Sequence, residues 1–336
     1  MRKIRYITLI LFIFLILNSL YSKESIAYVD SDRLILINFK GQKIKEIKLP
    51  IKIQKKHEIN LCRGVTVDYS LFGKNFSLKK DIICFVGIDN KIHWYNWKKK
   101  REKKIPNGPY YFTEKKCGNK EIIEWIDFSE DKELIVLSVR PECETNEECE
   151  KSTPFPDYST VVILHLKTGK KEIIDDEEGL GTYKPLISND NIIYQEGDKF
   201  IIYKPFCRTK REIIIDEKKS HLKKSFAELL DYVKIIKQRI LFINWVGFTR
   251  IVSYNLDTDK YKIIANMKKK IIGSFSFRDI SSDCKYILLV KNVSDLNMGD
   301  EYSSMISIID IQKVKRTEVK KVKEGVEWAQ FYEEDN

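Results

Sequence analysis

The chain has 336 residues, with 60 lysine and arginine residues against 49 aspartate and glutamate residues, so its net charge is +11. Its 43% hydrophobic and 12% aromatic residues can build an extensive core, which excludes an intrinsically disordered chain. The lysines are spread along almost the whole sequence instead of gathering on one helix or arm, which argues against a nucleic-acid-binding protein. Binding of the basic body to anionic lipid or cell-wall polymer stays open.

The first segment of the chain has the layout of a signal peptide. Two arginines and a lysine within the first five residues precede an apolar run over residues 7–17, and polar residues follow from Asn18. The run is shorter than the roughly 18 to 20 apolar residues that span a bilayer. We therefore predict a signal peptide over residues 1–22 and export of a mature domain, residues 23–336, to the periplasm or the medium. An uncleaved N-terminal signal anchor is the alternative.

Short apolar runs rich in Ile, Val, Tyr and Phe fill the rest of the chain, separated by turns of Asp, Asn, Gly and Lys. They group into loosely repeated copies of several strands each, and repeats of roughly 40 to 50 residues are typical of β-propeller blades. The copies are residues 26–49, 76–105, 126–174, 183–215, 239–265 and 275–319. We predict an all-β protein that forms a single β-propeller of six four-stranded blades. Tandem β-sandwich domains are the alternative architecture.

The two ends of the repeat region complement each other. The first copy starts at its second strand, whereas the C-terminus supplies an additional apolar strand over residues 326–332. We predict that this strand completes the first blade and closes the ring, which leaves no open edge in that blade.

One stretch departs from the strand pattern. Between residues 225 and 236, Phe226, Leu229, Leu230 and Val233 fall at helical spacing. We predict that this stretch forms the main helix of the protein, as a decoration on the ring.

Two kinds of turn recur between the predicted strands. An apolar residue, a serine and a charged turn follow one another in residues 128–132 (FSEDK) and 280–285 (ISSDCK), and residues 167–170 form a KTGK turn. These turns and their strands resemble the WD40-like repeats of the six-bladed propeller in the periplasmic Tol-system protein. The resemblance covers most of the mature chain and implies an envelope-associated scaffold.

Motifs that mimic an enzyme fit the blade repeat better. Ser-x-x-Lys stretches and one Lys-Thr-Gly resemble the motifs of penicillin-binding enzymes, in which the serine opens a helix. In this chain each serine begins a turn between predicted strands, at residues 77–80, 129–132 and 282–285. The sequence also lacks a Gly-x-Ser-x-Gly elbow, a phosphate-binding loop and a dinucleotide fingerprint. We therefore predict no catalytic residues and no cofactor, and favour a non-catalytic protein.

The seven cysteines and four histidines show no metal-binding spacing. We predict no metal site. Cys143 and Cys149 flank a short polar stretch and are the best candidates for a disulfide in an oxidising compartment. Cys84 lies within an apolar strand and is predicted to be a buried thiol.

The longest predicted connections are residues 106–120, 141–159, 175–182 and 292–304. Blade connectivity places the connection between the second and third strands on the same face as the connection to the next blade. All four therefore project from one face, called the long-loop face, and function often lies in such loops. Their candidate partner-binding residues are Tyr110, Tyr111, Phe112, Glu144, Phe155, Tyr158 and Asp175. Packing of the aromatic rings against the loop bases is the alternative role.

We predict an exported, monomeric, non-catalytic propeller that binds a protein or peptide partner in the cell envelope through the long-loop face. The alternative is a propeller hydrolase or lyase that acts on extracytoplasmic glycans or peptides, with Glu144 or Asp175 near the central channel. A third possibility is a structural surface protein without a soluble ligand. Paired carboxylates in one pocket would favour the enzyme, and a flat long-loop face would favour the structural protein.

Overall fold

A computed structural model describes most of the chain between Glu24 and Glu333, and within these residues it contains strands and turns but no helix. Hence no described segment has the helical length and apolarity that a bilayer crossing requires. The described residues are 24–54, 59–61, 65–67, 74–105, 108, 110, 120–129, 131, 133–142, 160–175, 184–188, 191–196, 199–214, 230–236, 239–244, 248–268, 275–294, 302–323, 326 and 328–333.

Six antiparallel four-stranded sheets form the blades of the ring. From the innermost strand to the outermost, blade 1 consists of β26 (Ala329–Glu333), β1 (Glu24–Asp30), β2 (Arg33–Ile37) and β3 (Lys43–Lys48). In the same order, blade 2 consists of β6 (Phe76–Lys79), β7 (Ile82–Val86), β8 (Ile92–Asn96) and β9 (Arg101–Lys103). Blade 3 consists of β10 (Lys120–Ser129), β11 (Leu134–Glu142), β12 (Thr160–His165) and β13 (Lys170–Asp175).

The second half of the ring repeats this arrangement. Blade 4 consists of β14 (Leu186–Ser188), β15 (Asn191–Glu196), β16 (Lys199–Lys204) and β17 (Thr209–Ile214). Blade 5 consists of β18 (Leu230–Ile236), β19 (Arg239–Asn244), β20 (Phe248–Asn255) and β21 (Lys260–Lys268). Blade 6 consists of β22 (Ser276–Ile280), β23 (Tyr286–Ser294), β24 (Tyr302–Asp310) and β25 (Lys315–Val322). A short hairpin of β4 (Ile59–Leu61) and β5 (Val65–Val67) separates blades 1 and 2 in sequence.

The inner strands close into a ring. Each inner strand contacts the inner strand of the next blade, and β26 of blade 1 contacts both β22 and β6. Strand β26 pairs with β1, with Ala27 opposite Gln330, so the last strand of the chain completes the first blade. The six-bladed propeller and its closure by the C-terminal strand are thus confirmed.

The helix prediction over residues 225–236 is wrong where the structure describes it. Leu230–Ile236 forms β18, the inner strand of blade 5, which pairs antiparallel with β19. Residues 225–229 lie outside the described part of the chain. The apolar residues after Leu230 match a strand period as well as a helical one, and pairing with β19 decides between the two.

The core lies between adjacent blades, where alternate residues of the middle strands interlock. In blades 2 and 3, Cys84, Ile135 and Leu137 are completely buried in one shared apolar cluster. This packing explains the strand propensity of the repeats, because β-branched and aromatic residues fill the space between two pleated sheets.

The propeller has two different faces. The turns that join the first strand to the second, or the third to the fourth, contain at most five residues each. Connections longer than this, such as residues 104–119, 143–159 and 215–229, join the second strand to the third or lead to the next blade. They therefore all leave from the strand ends on the long-loop face, and the opposite face is called the turn face.

The six turns between the third and fourth strands, called the outer turns, are similar in conformation. Each contains one residue with a left-handed φ, namely Gly41, Lys100, Gly169, Arg208, Asp259 and Val314. In several of them an Asn or Asp side-chain oxygen accepts backbone N–H groups of the turn, as that of Asn96 does from Lys99 at 2.8 Å. Such Asx turns explain why polar residues end the third strands.

Candidate functional site

An open cavity of about 330 Å³ lies at the centre of the ring. Every inner strand contributes to its wall, and one residue from each strand, in ring order, is Lys79, Asp127, Ile187, Lys234, Asp279 and Gln330. Lys79, Asp127, Lys234 and Asp279 lie towards the C-terminal ends of their strands. Lys80 and Ser282 of the following turns also line the cavity. The cavity therefore belongs to the turn face.

Asp127 forms the centre of a charged cluster that joins blades 2, 3 and 4. Its Oδ1 accepts a hydrogen bond from Ser77 Oγ at 2.7 Å, and its Oδ2 accepts one from the Ile187 amide at 3.0 Å. The Nζ atoms of Lys79 and Lys74 lie 3.1 Å and 3.7 Å from Oδ1. Lys79 also donates to the carbonyl oxygens of Phe128 and Ile187, so its ammonium group connects three blades.

Asp279 forms an equivalent cluster three blades further around the ring. Lys234 Nζ of blade 5 lies 2.7 Å from its Oδ1, and the Phe331 amide of blade 1 donates to its Oδ2 at 2.8 Å. Lys234 also donates to the carbonyl oxygen of Ile280, the residue after this aspartate, as Lys79 does to that of Phe128. The channel therefore carries the same lysine–aspartate–amide arrangement on two opposite sides.

The charges at the first cluster stabilise each other. Burial would raise the pKa of Asp127, but Lys74 and Lys79, the Ile187 amide and the Ser77 hydroxyl lower it to about 2. Burial lowers the pKa of Lys74, against the attraction of Asp127. Asp127 is thus an ionised hydrogen-bond acceptor at neutral pH and has no proton to donate.

An aromatic pair packs across the ring on the long-loop side of this cluster. The rings of Trp125 in blade 3 and Trp328 in blade 1 meet edge to face, with centroids 5.3 Å apart and an interplanar angle of 77°. Lys74 Nζ lies 5.7 Å from the Trp125 ring centroid, and the Arg278 guanidinium lies 5.4 Å from that of Trp328. These cation–π contacts provide a partner for cations that are buried in the ring.

Two of the predicted partner-binding residues lie within the described part of the chain. The Tyr110 ring is only 3% exposed, belongs to the apolar cluster between blades 2 and 3, and has Lys171 Nζ 5.2 Å from its centroid. This is the packing role that the sequence left open for the loop aromatics. Asp175 is the last residue of β13, the outermost strand of blade 3.

The other predicted site residues lie outside the described residues. They are Tyr111, Phe112, Glu144, Phe155 and Tyr158, together with the predicted disulfide pair Cys143 and Cys149. Cys84, predicted to be a buried thiol, is buried and unpaired with another cysteine, and burial raises the pKa of its thiol.

Sequence reasoning missed the two channel aspartates, although a signal for them exists. Asp127-Phe128-Ser129 and Asp279-Ile280-Ser281 share the pattern Asp-apolar-Ser directly before the recurrent charged turn. Only these two copies carry the aspartate in front of that turn, and the ring places them in opposite blades.

No family model and no curated protein matches this sequence. Among solved structures, the chain is similar to an oligogalacturonate lyase in complex with manganese, with a TM-score of 0.44 and 10% identity over 86% of this chain and 70% of that chain. It is also similar to the β-propeller domain of Cps50 (Swd1) from Myceliophteria thermophila, with a TM-score of 0.43 and 8% identity over 81% of this chain and 90% of that chain. At these identities the similarity concerns the fold alone, and a specific relation to the Tol-system protein stays a prediction.

Proposed function

We propose that this chain is an exported, non-catalytic β-propeller that binds a protein or peptide partner in the cell envelope through its long-loop face. The observation that carries this proposal is that the two ends of the ring differ in structure. The channel charges are used in contacts between blades, whereas every long connection leaves from the opposite face.

The state of the channel carboxylate Asp127 argues against general acid–base catalysis there. A general acid or base works best with a pKa near the working pH, and the pKa of Asp127 is lowered to about 2. Both of its oxygens already accept hydrogen bonds from Ser77 and Ile187. Asp279 has the same kind of contacts, with Lys234 and the Phe331 amide. These groups are suited to holding blades together.

Three of the long connections are acidic, whereas residues 104–119 and 215–229 carry a small net positive charge. Residues 143–159, 176–185 and 295–301 contain eleven acidic residues and two lysines, together with Phe155 and Tyr158. Carboxylates and aromatic residues in the same segments favour a partner with a basic segment there, because complementary charge speeds association and excludes acidic competitors.

A pull-down from the native envelope fraction tests the proposal. The mature chain is compared with a variant in which Tyr111, Phe112, Phe155 and Tyr158 are changed to alanine. Tyr110 is left in place, because its buried ring would confound binding with stability. The control is Ile263→Ala, which removes an apolar side chain that is 41% exposed on β21, the outermost strand of blade 5.

We expect the parent chain and the Ile263→Ala control to capture the same partner and the loop variant to lose it. Equal capture by all three proteins would remove the long-loop aromatics from the site. Loss of capture by the control alone would move the partner site to the outer edge of blade 5.

A further inference from the structure

The fold gathers the basic residues that the sequence spreads out. Each outer turn, taken with one flanking residue on either side, spans residues 37–43, 96–101, 165–170, 204–209, 255–260 or 310–315. These six short segments contain thirteen lysine and arginine residues and three aspartates, a net charge of +10. The basic residues are Lys40, Lys43, Lys98, Lys99, Lys100, Arg101, Lys167, Lys170, Lys204, Arg208, Lys260, Lys313 and Lys315.

This charge exceeds that of the whole propeller. Four basic residues and no acidic residue precede Glu24, so residues 24–336 carry a net charge of +7. The remainder of the propeller is therefore net negative, and its positive charge excess lies on the six outer turns. All thirteen basic side chains are exposed.

The arrangement of these turns is that of a ring at one end of the molecule. Each outer turn joins the two outermost strands of its blade, so the six turns surround the turn face at its periphery. A ring of like charges that face one way matches an extended anionic surface better than a small ligand, because many contacts form in one docking orientation.

Apolar side chains at the same places favour a lipid surface over a soluble polyanion. Phe206 and Val314 belong to the outer turns of blades 4 and 6 and are 60% and 41% exposed. Ile44, which follows the outer turn of blade 1, is 58% exposed. Exposed apolar tips flanked by lysine and arginine are typical of surfaces that insert between anionic headgroups.

The chain also enters the propeller on this face. Glu24 begins β1 opposite Glu333, at the C-terminal end of the inner strand β26, which is the end that belongs to the turn face. The preceding residues contain the apolar run over 7–17 and three basic residues within the first five. If this segment is retained in the membrane as an anchor, it places the turn face next to the bilayer.

We propose that the outer turns form a docking surface for a membrane rich in anionic phospholipid, with Phe206 and Val314 at the headgroup level. The surface is separate from the long-loop face and does not depend on a partner there. A propeller docked in this way directs its long connections away from the bilayer.

Co-sedimentation with vesicles tests the proposal. The chain starting at Glu24 is used, because all six blades are complete within residues 24–333 and the apolar run cannot then bind lipid by itself. The probes are phosphatidylcholine vesicles with and without phosphatidylglycerol, at low and high salt. The turn variant changes Lys99, Lys100, Lys167 and Lys204 to glutamine.

The control variant removes the same charge from the other side of the ring. It changes Lys91, Lys104, Lys321 and Lys323 to glutamine, all of which are exposed and lie in long-loop connections or at the end of β25 that leads into one. Both variants have the same net charge, so any difference between them reports where the charge lies. A thermal melt of each variant confirms that the fold is intact.

We expect binding to phosphatidylglycerol vesicles that weakens at high salt, and no binding to phosphatidylcholine alone. The turn variant should lose affinity by about tenfold or more, and the control variant by much less. Phe206→Ser should weaken binding without changing its salt dependence. Equal losses in both charge variants, or binding to soluble polyphosphate or nucleic acid with none to vesicles, would overturn the proposal.

Discussion

Single aspartates join three blades at a time in this propeller. Asp127 accepts hydrogen bonds from a serine of the blade 2 segment and from a backbone amide of blade 4, and it forms ion pairs with two lysines of the blade 2 segment. Asp279 forms an ion pair with a lysine of blade 5 and accepts a hydrogen bond from a backbone amide of blade 1. A buried carboxylate would normally be costly, but each has cationic and amide partners in place. Buried charge at the centre of the ring therefore fixes neighbouring inner strands relative to each other.

Replacement of Asp127 by asparagine should destabilise the protein in a pH-dependent way. The pKa of Asp127 is lowered from 3.8 to about 2, so its charge stabilises the folded state fully above about pH 4, and this contribution is lost as the pH falls towards 2. The shift corresponds to about 2 kcal/mol. Because the variant leaves Lys74 and Lys79 without their counter-charge, its total cost at neutral pH, which includes this contribution, should be about 3–5 kcal/mol.

Urea unfolding of Asp127→Asn between neutral and acidic pH measures both effects. The variant should show a lower free energy of unfolding at neutral pH and a flatter loss of stability in acid. Asp131→Asn, in an exposed turn of the same blade, serves as the control and should match the parent protein. If the two variants lost the same small amount, the cluster would not be holding the blades.

Substitutions at two glycines in equivalent turns can distinguish the cost of backbone strain from the cost of a steric clash. Gly41 and Gly169 both have left-handed φ angles, of 74° and 69°. A Cβ on Gly41 would lie 2.1 Å from the carbonyl oxygen of Val319 in blade 6, whereas a Cβ on Gly169 would have no atom within 4 Å. Gly169→Ala should therefore cost only about 1 kcal/mol of conformational strain.

Gly41→Ala should be clearly more destabilising than Gly169→Ala, because its turn must move away from β25. The difference in free energy of unfolding, measured by chemical denaturation, should exceed about 1–2 kcal/mol. Equal costs would show that blade 1 and blade 6 are not in close contact at this turn.

At the scale of elements, the sequence predicts strands well where the charged turn recurs after the inner strand. It predicts them poorly in a blade that lacks this turn. The Asp-containing turns near residues 128–132 and 280–285 recur, and they mark the strands around them. The inner strand β18 has no such marker, and its apolar residues fit a helix as well as a strand. Only the pairing of β18 with β19 and its place in the ring decide its conformation.

The C-terminal strand β26 should be required for a cooperative fold. A chain that ends at Lys323 lacks the inner strand of blade 1, which exposes the edge of β1 and removes the buried side chains of Trp328, Phe331 and Tyr332. We expect loss of the cooperative thermal transition, measured by circular dichroism. A synthetic peptide of residues 324–336 should restore it when added in excess.

A milder change in the same strand provides the comparison. Gln330 exchanges hydrogen bonds with the backbone of Leu78 in blade 2, at 2.7 Å and 3.2 Å. Gln330→Ala should retain the transition and lose about 1–2 kcal/mol. A truncated chain that melts like the parent would mean that the ring does not depend on its closing strand.

At the scale of the whole molecule, the position of charge is beyond the reach of the sequence. Lysines that are far apart in the chain, such as Lys99, Lys167 and Lys313, come to one face because each follows the third strand of its own blade. The blade repeat is visible in the sequence, but the register that assigns a turn to one face depends on correct boundaries for every strand. The sequence therefore suggests that positive charge is spread evenly over the surface, whereas the fold concentrates it on one face.

This asymmetry predicts different behaviour for two proteins of equal net charge. On a cation-exchange resin at neutral pH, the chain should bind through its turn face, because a protein adsorbs through its most positive side. The turn variant should elute at lower salt than the control variant, although each has lost four positive charges. Identical elution would show that the resin senses only net charge, and the outer turns would then lack the concentrated field that docking to an anionic membrane requires.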